Sequence, residues 1–90
     1  MLVLLTRAAA DAERSAARLR QRGHDSLISP VLRIVDVDAD IPARAYDAVM
    51  LTSAQAAQSR VAAGLSPALK ALPLWVVCAK TLDAARHAGF

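Results

Sequence analysis

The sequence predicts an α/β fold built from β-α-β units with parallel strands. Three short apolar segments predict the strands, and the first of them lacks the alternation of a sheet that faces solvent on one side, so it predicts a strand covered on both faces. The three segments are residues 1–6, 48–51 and 74–78. Each leads into a hydroxyl-bearing residue and an alanine-rich segment, at Thr6, at Thr52–Ser53 and at Thr81. Strands, turns and helices that repeat in this order are typical of parallel sheets.

Residues 1–30 are predicted to form the first part of one three-layer domain, a β-α-β unit. After the first strand, small apolar residues recur at helical spacing and predict a helix from Ala9 to Arg22. Gly23 supplies the left-handed residue that ends many helices. Leu27–Ser29 predicts a second strand, which ends at Pro30 because proline cannot donate to a ladder.

Residues 31–42 are predicted to form an extended interdomain linker. Here Arg33 and three aspartates interrupt β-branched residues, a pattern that favours a partly exposed segment over a core strand.

Residues 43–90 are predicted to form the first part of a second three-layer domain, with the order β-α-α-β-α. Residues 43–46 predict one helical turn, and the strand 48–51 is followed by a helix over 54–63, capped by Ser53. Ser66 and Pro67 predict the start of a short helix that extends to Leu72. The strand 74–78 then leads through Thr81 into a last helix, which ends at Gly89.

Composition limits the size of the core and the kind of partner. The chain has 90 residues and only three aromatic ones, while 21 of its residues are alanine. A chain this short buries only about 60% of its unfolded surface, so we expect a small margin of stability.

The formal net charge of +3 comes from nine arginines and two lysines that are spread along the chain. A small polyanion fits this distribution as well as nucleic acid does.

The carboxyl edge of the sheet is the predicted binding site for an anion. Parallel strands bring their following turns together there, beside helix N-termini with partial positive charge. The sequence Thr52–Ser53–Ala54 combines capping hydroxyls with a small side chain that lets a ligand approach the backbone, and Lys80 adds a cation beside Thr81. The alternatives are that Ser53 is only a helix cap and that Lys80 is only a solvated loop residue.

Arg7 ends the first strand at the same predicted edge, where its guanidinium could pair with a carboxylate. The alternative is a salt bridge at the surface or between domains. Cys78 is predicted to be a buried, inert thiol, since no histidine is placed beside it. The alternative is a thiol whose pKa is lowered by its position at a strand end next to a helix N-terminus. Trp75 and Tyr46 are predicted to lie in the core or to cover a sheet.

The sequence lacks the motifs that would indicate several other classes of protein. The chain has no glycine-rich dinucleotide fingerprint and no Walker lysine, and it has no cysteine and histidine set at metal-ligand spacing. No apolar segment is long enough to predict a signal peptide or a membrane span. The lone cysteine fits a reducing compartment, and we expect a cytoplasmic protein that binds no metal, nucleic acid or membrane.

A series of short motifs resembles the uroporphyrinogen-III synthase family. In chain order they are Val3–Arg7, an arginine-rich helix that ends at Gly23–His24, Ser29–Pro30, Tyr46–Ala48 before Thr52–Ala56, Trp75–Val77 with Thr81, and Ala88–Phe90. Their order and spacing agree along the whole chain. No single motif is specific, and the resemblance depends on the series.

The resemblance implies two α/β domains joined by a two-stranded linker, and an enzyme that needs no metal or cofactor. The implied reaction closes hydroxymethylbilane to uroporphyrinogen III, with inversion of the last pyrrole ring. Thr52, Ser53 and nearby backbone N–H groups would bind carboxylates of this polycarboxylate substrate, and Thr81 would contact substrate or assist departure of the hydroxyl group. The family often has glycine where this chain has Cys78, and alanine where it has Leu82. The larger side chains of this chain narrow the turn before Thr81.

Family members are much longer, so we expect this chain to be an N-terminal part with an incomplete active site. The rival interpretation is a non-enzymatic module that binds anions or associates with itself through unpaired sheet edges.

Overall fold

The computed structural model describes residues 1–90, which divide into two compact units, Met1–Val35 and Asp36–Phe90. The protein has a mixed α/β fold with short parallel strand pairs, as predicted. None of its five helices has the length and apolar character needed to cross a membrane. The predicted domain bounds of 1–30, 31–42 and 43–90 stay predictions, and no helix or strand occurs between residues 29 and 48.

The first unit is one β-α-β motif: β1 (Leu2–Leu5), α1 (Ala9–Gln21) and β2 (Asp25–Ile28). The two strands are parallel, with Leu2 opposite Asp25 and Leu5 opposite Ile28. Gly23 has φ of +79°, which confirms the predicted left-handed stop after α1. Strand β2 begins two residues earlier than predicted.

Helix α1 covers one face of this two-stranded sheet, and its contact surface includes the buried Ala12 and Ala16. The other face is open: Leu2 is 72% exposed, Leu4 60% and Leu27 58%. The prediction that the first strand is covered on both faces was therefore wrong. A single crossover helix can cover only one side of a sheet, and an unbroken apolar run does not reveal whether the second side has a partner.

The second unit contains the other six elements, and its strands β3 and β4 are parallel, with Leu51 opposite Val76. In chain order the elements are β3 (Val49–Leu51), α2 (Ala54–Ala57), α3 (Arg60–Ala63), α4 (Pro67–Lys70), β4 (Leu74–Val76) and α5 (Ala79–His87).

Several predicted elements of this unit differ in the structure, and the strand predicted over 74–78 ends at Val76. The single helix predicted over 54–63 is two one-turn helices, because the Ser59 hydroxyl donates to Ala56 O at 2.7 Å and accepts from Ala62 N at 3.1 Å, which starts a second helix. Residues 43–46 are not helical, and the Tyr46 hydroxyl donates to Pro42 O at 2.7 Å instead. Helix α5 begins at Ala79, so Thr81 lies inside the helix rather than before it.

Alanines form most of the core of the second unit. Leu51 and the α2 residues Ala54 and Ala57 are buried together with Ala84 and Ala85 of α5. Their small side chains let the two helices pack closely over the sheet. On the other side, Trp75 is 68% exposed and Met50, its opposite residue on β3, is 66% exposed. Trp75 does not lie in the core, one of the two predicted places, because the helices of this unit cover only the opposite face of the sheet.

Lys70 fixes the end of the last helix. Its Nζ donates to Ala88 O at 2.9 Å and lies 5.6 Å from the centre of the Phe90 ring. A cation at a helix C-terminus binds the free carbonyl groups and is favoured by the helix dipole. This contact joins α4 to α5.

Candidate functional site

The carboxyl ends of β3 and β4 form the edge on which the predicted site residues of the second unit lie. Thr52 and Ser53 follow β3 directly, while Val77 and Cys78 lie between β4 and α5. Because β3 and β4 are neighbouring parallel strands in register, the turns after them leave the sheet at the same edge. The structure therefore brings Thr52, Ser53 and the start of α5 to one side of the second unit.

The turn after β3 offers exposed hydrogen-bond donors. Thr52 and Ser53 are both exposed, and Ser53 caps α2 by accepting from Gln55 N at 3.2 Å. Ala54, the first residue of α2, is only 8% exposed and belongs to the core. The Thr52 hydroxyl and the outward surface of this turn remain accessible to a carboxylate, whereas Ala54 serves the packing of the helix.

The turn after β4 contributes a cation. Lys80 is exposed at the second position of α5. An ammonium group at the N-terminal end of a helix adds to the partial positive charge there, so an anion at this edge would be attracted by both.

Thr81 is the predicted catalytic residue, and its side chain lies below the surface. Thr81 is 2% exposed. Its Oγ1 is 3.3 Å from Cys78 Sγ, the residue that precedes the helix. With so little exposed surface, Thr81 does not contact an external ligand directly in this structure.

Cys78 was not predicted as a site residue, and the prediction that it is buried was wrong, while the prediction that its thiol is inert stays a prediction. The thiol is exposed. Its pKa is lowered, mainly because the Thr81 hydroxyl can donate to the thiolate and further because the backbone N–H groups of Thr81 and Lys80 are close. Cys78 is the N-cap residue of α5, although its side chain does not complete a capping hydrogen bond. Its position directly before a helix is the signal on which the alternative of a lowered pKa was based.

We expect the Cys78 thiol to be alkylated at lower pH than an unperturbed cysteine. Since the Thr81 hydroxyl stabilises the thiolate, Thr81→Val should raise the pKa and move the midpoint of the pH–rate profile for iodoacetamide upward. Thr52→Val, in the neighbouring turn, makes the same chemical change without touching Cys78 and serves as the control. Equal midpoints in the two variants would contradict the role of Thr81.

Arg7 lies in the first unit and has local partners. Its Nη1 donates to Ser15 Oγ at 2.9 Å, and its Nη2 is 3.8 Å from Asp11 Oδ2. Asp11 also pairs with Arg14. These contacts tie the end of β1 to the first turns of α1. The Arg7 side chain is still 54% exposed, so part of the guanidinium can form a further hydrogen bond or ion pair.

An open cavity of about 1110 Å³ lies elsewhere in the second unit, between residues 38–46 and helices α3 and α4. Its apolar floor includes Val61, Leu65 and Leu69, and none of the predicted site residues lines it. No group of three or more histidine, cysteine, aspartate or glutamate side chains is arranged to hold a metal ion.

The family model described as uroporphyrinogen-III synthase HemD matches residues 13–90. The chain belongs to the uroporphyrinogen-III synthase family. The match contains most of the first unit, all of the second unit and every predicted site residue except Arg7. Enzymes of this family are hydro-lyases that act on a small tetrapyrrole precursor. No curated protein and no solved structure matches the chain.

Proposed function

We propose that this chain provides part of the substrate cleft of a uroporphyrinogen-III synthase. In the proposed reaction, hydroxymethylbilane loses its hydroxyl group as water and closes to uroporphyrinogen III with ring D inverted. The observation that carries the proposal is the family match over residues 13–90, which includes the whole β3–β4 edge. The place of this reaction in tetrapyrrole and heme biosynthesis agrees with the cytoplasmic location that we expect.

The chemistry of the edge supports this substrate class. Hydroxymethylbilane carries acetate and propionate groups, and carboxylates are bound well by hydroxyl donors, cations and helix N-termini. Thr52, Ser53 and Lys80 are exposed at the edge and supply such groups. We assign them, together with the backbone at Ala54, to carboxylate binding, and we assign Arg7 to a carboxylate that approaches the first unit.

The main requirement of the reaction is that the protein holds the flexible hydroxymethylbilane in one conformation. The pyrrole nitrogen pushes electrons to the hydroxymethyl carbon, its C–O bond breaks, and the oxygen leaves as water after protonation. Loss of the pyrrole N–H proton leaves an azafulvene, whose methylene carbon is attacked by the substituted α-carbon of ring D to give a spiro-pyrrolenine. The bond from that α-carbon to the bridge toward ring C then breaks and leaves a second azafulvene on ring C. The free α-carbon of ring D attacks this azafulvene and loses its proton, which closes the macrocycle with ring D inverted. Spontaneous closure gives the uninverted isomer, so restricting the bilane to one conformation decides the product. No cofactor or metal takes part in the proposed mechanism.

We assign Thr81 to departure of the hydroxyl group. With 2% of its surface exposed and Cys78 Sγ 3.3 Å from its hydroxyl, Thr81 acts on the substrate through the exposed thiol. In this arrangement Cys78 faces the leaving group, and Thr81 holds the thiol in place and adjusts its pKa.

We further propose that these 90 residues form an incomplete cleft. The open sheet faces around Leu4 and Trp75 support this proposal, because parallel sheets are normally covered on both sides. The same faces favour the rival interpretation, a non-enzymatic module that associates with itself. Val49 and Val76 pack against the core of the second unit, so a charge there would disturb folding and would not test association. A charged substitution at Met50, on the open face, would change the association state of such a module, and the module would have no effect on the closure of hydroxymethylbilane.

The test is to follow closure of freshly prepared hydroxymethylbilane with the chain in molar excess, and to separate the oxidised products by HPLC. A cleft that binds the linear bilane but lacks its remaining walls should slow closure and yield isomer I. Closure at the rate of the protein-free control would contradict substrate binding. Isomer III above the control would overturn the proposal that the cleft is incomplete, while keeping the enzymatic function.

A further inference from the structure

We draw no further inference here: the strongest candidate, the open apolar face of the β3–β4 sheet formed by Met50, Trp75 and Val77, carries nothing because nothing in the structure shows what covers it.

Discussion

Ser53→Asp is expected to weaken binding of hydroxymethylbilane by at least about tenfold. Aspartate is as good an N-cap as serine, so it should preserve the start of α2 and the bond from Gln55 N. The new carboxylate would stand where a substrate carboxylate is proposed to bind. At a separation of 4 Å, like charges repel by about 1 kcal/mol in water and about 4 kcal/mol near a protein surface, and about 1.4 kcal/mol corresponds to tenfold. The measurement is the retardation of bilane closure as a function of protein concentration.

Ser66→Asp provides the matched control for this substitution. Ser66 caps α4, and its Oγ accepts from Leu69 N at 3.3 Å, so the same change adds the same charge while keeping a cap. Because Ser66 lies at the start of α4 and not after a strand, its charge should have little effect on binding at the β3–β4 edge. If the two variants bind the bilane equally well, the carboxylate site is not at Ser53.

Ala85→Leu is expected to destabilise the second unit by about 1–3 kcal/mol. Ala85 has no exposed surface and packs with Leu51 and with Ala57 of α2. The leucine side chain has no space there, so α5 must move away from α2 or the side chain must adopt a strained rotamer. With the small core of a 90-residue chain, a loss of this size would remove a large part of the free energy of unfolding.

Urea unfolding followed by far-UV circular dichroism measures this effect, because the exposed Trp75 is a poor reporter of the core. Ala79→Leu is the control, since Ala79 is exposed in the first turn of the same helix. Its midpoint should stay close to that of the unsubstituted chain. An Ala85→Leu variant with an unchanged midpoint would mean that α2 and α5 do not pack as closely as the structure indicates.

Local signals in the sequence were sufficient for the order and type of most elements. Gly23 takes the positive φ that its place after α1 predicts, and Ser66 followed by Pro67 starts α4 as predicted. These features depend on the backbone preferences of a few adjacent residues, so the sequence determines them without reference to distant contacts. The strand–turn–helix order placed Thr52 and Ser53 at the carboxyl edge for the same reason.

Features that depend on tertiary contacts were not predictable in this way. Ser59 divides the predicted helix over 54–63, and the choice between capping a new helix and continuing the old one is not visible in an alanine-rich sequence. The open faces of both sheets depend on whether another element covers them, which an apolar run does not reveal. Thr81 was predicted to precede the last helix, but α5 already begins at Ala79, so Thr81 lies within the helix and is buried. Helix boundaries are the least certain part of any such prediction.

The most direct test of the proposed site is a titration of the ¹⁵N-labelled chain with uroporphyrinogen III under anaerobic conditions, followed by amide NMR shifts. We predict that the largest shifts occur at Thr52–Ala54 and Ala79–Thr81, the two turns that leave the β3–β4 edge. Shifts confined to the cavity between residues 38–46 and helices α3 and α4, or no shifts at millimolar ligand, would contradict a carboxylate-binding site at this edge.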